Sequence, residues 1–235
     1  MDERLDAATG VRDTLPTVFG YIGLGLAMGV VGSGAGLPAW LIMLMSIVTY
    51  GGSVQFVIVS MLRAGSPILS IAMSTFLVNS RMILMAMNVA PYFFGESMKR
   101  NVIVGSLLTD ETFALSMNKK NRTGGVLSFE WFNAANITAY LTWVLSTYAG
   151  GLLGGFIGDP KRLGMDFALV AMFIGLVYLQ IVADESIDRR LQFVMVLVTL
   201  ALVFFGMVFI PGNLLVLVVT LVGCGIGVTL KHACR

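Results

Sequence analysis

Apolar runs separated by short polar connectors set the pattern of this chain from residue 17 onward. A membrane-spanning helix needs about 20 mainly apolar residues. Eight stretches approach that length: 17–33, 39–62, 67–90, 101–118, 130–157, 165–183, 191–210 and 212–230. The fourth is the weakest, being short and interrupted by Asp110 and Glu111. The last two are the most apolar and are parted only by Pro211 and its neighbours. The pattern predicts an all-α, polytopic integral membrane protein with about eight transmembrane helices. A single transmembrane domain is expected over 17–230, between cytoplasmic tails at 1–16 and 231–235. Residues 1–16 are polar and mixed in charge, without the basic start and apolar core of a signal peptide. The first apolar run is therefore read as an uncleaved insertion signal.

Composition agrees with a lipid solvent. Of 235 residues, 57% are hydrophobic and 12% charged, against roughly 25% charged in soluble domains. Such hydrophobicity excludes disorder. Two cysteines, Cys224 and Cys234, cannot frame a disulfide scaffold, and Cys224 is expected as a small core residue. A net charge of +2 gives no reason to expect a nucleic-acid partner.

Lys and Arg in the connectors set orientation. With eight spans and a cytoplasmic N-terminus, ten face inward: Arg4, Arg12, Arg63, Lys119, Lys120, Arg122, Arg189, Arg190, Lys231 and Arg235. Four face outward: Lys99, Arg100, Lys161 and Arg162. This favours eight spans with both termini in the cytoplasm.

Three charges fall near segment midpoints: Arg81 in the third, Asp110 and Glu111 in the fourth. Each costs about 2.5–3.5 kcal/mol at a helix centre. An ion pair between adjacent antiparallel helices lowers that cost, and two acids against one arginine leave a carboxylate over. The surplus acid is a candidate for proton coupling; the alternative is that the charges only hold helices together. At 100° per residue Ser70, Ser74, Arg81 and Asn88 share a stripe, with Thr75 and Asn79 opposite, so the third helix is expected inside the bundle. Asp110 borders a polar arc on the fourth segment and reads as the cavity residue. Glu111 points away and reads as the partner of Arg81 or of another helix, with the reverse assignment open.

Tyr50-Gly51-Gly52-Ser53 interrupts the second segment. Adjacent glycines weaken a helix by about 1 kcal/mol each, so a discontinuous helix is expected here. Its second half would offer N–H groups to an anion, with Ser53 and Gln55 beside them. Close helix packing through small residues is the other reading. Packing is also the expected role of the Gly25/Gly29, Gly151/Gly155 and Gly223/Gly227 pairs. On the fifth segment Asn133, Asn136, Tyr140, Trp143 and Thr147 form a stripe, serving either interhelical hydrogen bonds or a cavity. No His/Cys/carboxylate set has metal-ligand spacing, and no nucleophile–base pattern suggests an enzyme. No cofactor is expected.

The chain resembles the large subunit of the AzlC-type branched-chain amino acid exporters. The resemblance rests on Gly51-Gly52-Ser53-Val54-Gln55-Phe56, Asn79-Ser80-Arg81, and Leu108-Thr109-Asp110-Glu111 followed by Phe113. It runs in order from Phe19 to Gln180. Val54 departs from the family pattern, which has a smaller residue there. The resemblance implies a secondary transporter in a bacterial cytoplasmic membrane, exporting branched-chain amino acids with a small AzlD-like membrane subunit. Candidate substrate-binding residues are Gly51, Gly52, Ser53, Gln55, Phe56, Asn79, Arg81 and Asn136, with Asp110 and Glu111 as candidate proton-coupling residues. Phe56, Met85 and Phe113 are candidates to receive an aliphatic side chain. A channel-like pore for small polar solutes and a structural subunit of a membrane complex are the rival readings.

Overall fold

The structure is a computed structural model that describes residues 4–156, 174–175, 177–178, 181, 188–209 and 212–233. The described residues are helical, with no strand among them. They fall into two compact units, Met1–Val177 and Tyr178–Arg235. The expected span at 165–183 lies almost entirely outside the described residues.

The first unit is organised by two long helices, α1 (Ala7–Gly34) and α7 (Phe129–Gly154). Asp6 caps α1 by accepting from the Thr9 N–H at 2.7 Å, the usual use of a short acid at that position. Ser128 caps α7, accepting from the Trp131 N–H at 3.2 Å. The helix thus begins ten residues ahead of the first apolar run, and part of the expected N-terminal tail, including Asp13 and Thr14, is buried. A Cβ on Gly10 would stand 2.3 Å from the Trp131 carbonyl oxygen, one on Gly29 2.2 Å from that of Thr147, and one on Gly150 2.3 Å from that of Leu26. Only hydrogen fits at these places. Gly25 meets Ser146, and Gly154 meets Ser33.

These pairings advance together along both chains, so α1 and α7 run parallel. The glycine-packing expectation holds for Gly25 and Gly29. On α7 the contact uses Gly150, Gly151 and Gly154, while Gly155 meets only its own turn. Parallel packing is compatible with three passes between α1 and α7, at 39–63, 68–89 and 98–122.

Two of those passes are broken. The first is α2 (Ala39–Thr49) followed by α3 (Gly52–Arg63). The break falls where the double glycine predicts, but the left-handed residue is Tyr50, with φ 29°. Gly52 is needed for proximity: a Cβ there would lie 3.0 Å from the Trp143 ring. The last is α5 (Met98–Ser106) followed by α6 (Asp110–Arg122). Sequence reading treats 101–118 as continuous, with its acids at mid-helix. Instead Thr109 and Thr112 form a capping box that starts a new helix. Asp110 and Glu111 become its first turn and Lys119, Lys120 and Arg122 its last, each sign at the end where the helix dipole favours it.

Between them runs α4 (Ile68–Val89), which is peripheral rather than central. Only Ser74 and Val89 are buried on it, while Ile68, Leu69, Phe76, Leu84 and Met87 are exposed. Arg81 turns toward the first unit's interior contacts with Ser53 and Asp110, and most of the apolar residues of the helix are exposed. In the second unit α8 (Arg189–Phe209) and α9 (Gly212–Ala233) pack as a hairpin. There Gly206 accommodates Leu215, and Gly227 lies under Met195. Cys224 is exposed, since α9 turns it away from α8; it is not a core residue. Three described helical stretches are long and apolar enough to cross a membrane: Ala7–Gly34, Ile68–Phe93 and Arg189–Phe209.

The α1–α7 seam makes a direct prediction. Gly29→Val should cost at least about 3 kcal/mol through overpacking against backbone. Gly20→Ala, with nothing within 4 Å of the new methyl, should be neutral or stabilising by up to about 1 kcal/mol. Thermal unfolding in detergent, followed by size-exclusion fluorescence, reads both.

Candidate functional site

The two helix breaks face one another across a small pocket at mid-height of α1 and α7. Its walls are Tyr21 of α1, Tyr50 and Gly51 at the first break, Gly52 and Ser53 opening α3, and Arg81 and Met82 of α4. Thr109, Asp110 and Glu111 at the second break and Trp143 of α7 complete it. The pocket is narrow. About 20 Å³ of it can hold the centre of a water molecule, enough for one or two waters.

Arg81 organises one side. Its Nη2 lies 2.7 Å from Asp110 Oδ2 and donates to Ser53 Oγ at 2.8 Å. The guanidinium thus ties α4 to both half-helix starts. Its side chain is 35% exposed against 10% for Asp110, so the pair is open on the arginine's side. Glu111 is held differently: the Tyr21 hydroxyl donates to Glu111 Oε2 at 2.7 Å and lies 3.0 Å from Thr109 Oγ1. Among the described residues no cation stands within ion-pair distance of Glu111. The sequence leaves open whether Glu111 meets Arg81 or another helix; here it meets Tyr21 of α1, and Arg81 takes Asp110, because Asp110 becomes the first residue of α6 and turns toward α4.

Aromatic rings close the pocket. Tyr21 and Trp143 meet edge-on with centroids 5.2 Å apart, and Tyr50 and Tyr140 do so at 4.8 Å. The Tyr140 hydroxyl donates to the Ile47 carbonyl at 3.1 Å, fixing the C-terminal end of α2. The Tyr50 hydroxyl is buried and meets no partner.

Of the sequence candidates, Gly51, Gly52, Ser53, Arg81, Asp110 and Glu111 come together here. Gln55 lies one layer behind: its Oε1 accepts from the Trp143 indole N–H at 3.1 Å, which orients that ring. Phe56 is in the apolar cluster with Tyr21, Met28 and Trp143. Asn79 borders Gly51, its Oδ1 3.8 Å from where a Cβ on that glycine would be, without lining the pocket. Asn136 is fully buried on α7, two turns from Trp143. Phe113 and Met85 pack against a second cluster around Phe132 and Leu108, so they do not receive a ligand here; Met82, Tyr50 and Trp143 hold that position. Tyr21, Met82 and Tyr50 escape sequence reasoning. Only Tyr50 carries a signal, its place directly before the double glycine. Among the described residues no group of three or more His, Cys, Asp or Glu is placed to hold a metal.

A family model described as AzlC protein matches residues 16–157. The inner membrane protein YgaZ of Escherichia coli K12 is 30% identical over 180 residues, covering 70% of this chain and 69% of that protein. An uncharacterized membrane protein of Helicobacter pylori 26695 is 27% identical over 161 residues, 68% of this chain and 69% of its own. The branched-chain amino acid transport protein AzlC of Bacillus subtilis 168 is 25% identical over 162 residues, 68% of this chain and 62% of its own. No solved structure matches the chain.

A double-mutant cycle separates the two acids. Arg81→Ala with Asp110→Ala should show a coupling of about 1–3 kcal/mol in unfolding free energy, at the lower end because the arginine is partly exposed. The same cycle with Glu111→Ala should show coupling below about 0.5 kcal/mol.

Proposed function

The chain belongs to the AzlC family of membrane proteins, and on that premise we propose that it exports branched-chain amino acids across the bacterial cytoplasmic membrane. In this reading it is a proton-linked secondary transporter and the large subunit of a pair with a small AzlD-like membrane protein. Both termini are cytoplasmic.

One observation carries the reading: a cation, two carboxylates and the start of a broken helix converge on one pocket deep in the membrane-spanning region. A zwitterionic amino acid needs an anion partner and a cation partner close together. Arg81 and the N–H groups opening α3 suit the substrate carboxylate, because the guanidinium forks and the helix dipole is positive at that end. Glu111 suits the ammonium, since among the described residues its side chain meets the neutral Tyr21 phenol and no cation. The aliphatic side chain then lies against Met82, Tyr50 and Trp143, where each methylene adds about 1–3 kcal/mol of discrimination. The pocket is too narrow for such a substrate in this conformation, so binding requires the aromatic rings to part. The left-handed Tyr50 at the α2–α3 break is the natural hinge. Coupling to protons follows from the acid that Arg81 does not neutralise. The relative named a branched-chain amino acid transport protein supports the substrate class.

The test uses vesicles containing the chain with the small membrane subunit encoded beside it. Saturable counterflow of labelled against unlabelled leucine is expected. Arg81→Leu should lower it at least tenfold. Glu111→Gln should also lower counterflow at least tenfold, because the substrate ammonium loses its anion, and the flux that remains should lose acceleration by a pH gradient. Leucine flux that rises linearly with concentration, without counterflow, would identify a pore instead.

A further inference from the structure

A second polar centre lies away from the pocket. Lys119, the last-turn lysine of α6, has a fully buried side chain, and its Nζ lies 2.9 Å from Asp13 Oδ2 of α1. The same oxygen accepts from the Trp131 indole N–H of α7 at 3.1 Å, and the ammonium sits 5.3 Å over that ring. Lys119 was counted above among the connector charges and Asp13 belonged to the tail; here both are interior. A buried pair of this kind rarely adds net stability, so its retention needs another reason.

Its position supplies one. On α1, Asp13 is eight residues from Tyr21, about 12 Å along the axis. On α6, Lys119 is eight residues from Glu111. The two helices run antiparallel, with Tyr21 meeting Glu111 at one end and Asp13 meeting Lys119 at the other. On α7, Asn136 lies between Trp131 and Trp143 in sequence. The seam pairs α7 with α1 at a constant offset, Gly10 with Trp131 and Gly29 with Gly150, so Asn136 stands level with the turn after Thr14.

Asn136 is completely buried, and among the described residues neither its Nδ2 nor its Oδ1 meets a partner. Such a group is costly if left so. Because donor and acceptor are both unmet, a bare cation does not satisfy it, and reversing the amide changes nothing. The missing partner must both donate and accept, as water does. Ser116 of α6, also completely buried, falls at nearly the same height, and its hydroxyl, which donates to the Phe113 carbonyl at 2.7 Å, keeps acceptor capacity for it.

We propose that waters held at Asn136 link Glu111 to the Asp13–Lys119 pair and form the proton path between the pocket and the N-terminal side of α1. A proton leaving the Glu111 carboxyl passes to the nearest water, each water gives one proton to the next, and the last releases one at the N-terminal side of α1, so Glu111 is left a carboxylate and every water is restored. The charged groups along the route are Glu111 and Lys119 on α6 and Asp13 on α1, with Tyr21 beside Glu111. The Arg81–Asp110 pair bounds the pocket end. This deepens the proton-linked reading and rests on it for its function, but not for the waters.

Two measurements decide it. Radiolytic X-ray footprinting labels residues beside bound internal water. Phe132 and Trp131, both without solvent exposure, should be labelled in the wild type, at least threefold less in Asn136→Leu, and again near wild-type level in Asn136→Ser. Absence of labelling in the wild type, or equal labelling in all three, overturns the waters whatever the protein transports. In vesicles, Asn136→Leu should reduce pH-gradient-driven leucine flux at least tenfold and leave counterflow within about twofold. Unchanged gradient drive overturns the path while leaving the transport reading intact. Loss of counterflow in the wild type counts against that reading alone. If Asn136→Leu does not fold, Asn136→Ala is read in the same assays against Asn136→Ser.

Discussion

Everything in the first unit hangs on how closely α1 approaches α7. Side chains normally hold helix axes 8–10 Å apart. Here Gly10, Gly25, Gly29, Gly150 and Gly154 remove them, and backbone meets backbone. In lipid there is no hydrophobic drive between helices, so such contact supplies the van der Waals packing that association needs. It also leaves no freedom of register. Once Gly29 lies against Gly150, Tyr21 must meet Trp143 and Asp13 must meet Trp131. The pocket and the second polar centre are thus two levels of one fixed ladder.

That rigid pair permits the two broken helices beside it. Interrupted backbone at membrane depth survives only where protein or enclosed water satisfies it. Each break faces the ladder and uses its own device. At Tyr50 it is a left-handed residue with Gly52 tucked against Trp143. At Thr109 it is a reciprocal cap with Thr112. The breaks bring two helix N-termini toward one pocket. Arg81 then bridges them, touching Ser53 of one and Asp110 of the other. A cation beside two positive dipole ends is unfavourable alone, so an anion must accompany it. Asp110 is that anion at rest.

Much of this was legible in the sequence, and the exceptions share one cause. Gly51-Gly52 foretold the first break because two poor helix formers in an apolar run have few other uses. Arg81, Asp110 and Glu111 stood out because charge in lipid is costly. The second break was missed because its signal, threonine at 109 and 112, is common inside membrane helices, and only the pairing of the two makes a cap. Which acid meets Arg81 stayed open for the same reason, since a 100° rotation is meaningful only along one continuous helix. Asp13 and Lys119 looked like ordinary end charges. Their burial depends on α1 starting ten residues early and on α6 running antiparallel to it, facts of tertiary register that no local pattern carries. The peripheral place of α4 was misread for a similar reason, because polar residues on two faces do not reveal whether both are covered.

Two acids adjacent in sequence have been given different partners, and this bears on coupling. Arg81 neutralises Asp110, and among the described residues no cation pairs with Glu111. On the proposed reading, a zwitterion reverses the arrangement. Its ammonium satisfies Glu111, while its carboxylate competes with Asp110 for Arg81. One carboxylate is uncompensated in either state, but not the same one. Moving such a charge through a low-dielectric enclosure is costly, so each state favours taking a proton on whichever acid is unpaired. Net coupling arises only if the two acids reach protons from different sides of the membrane. Glu111 sits toward Tyr21 and the α1–α6 interface, whereas Asp110 sits toward α4 and the pocket. That difference in access, fixed by the α6 cap, is what would turn two neighbouring carboxylates into a directional device.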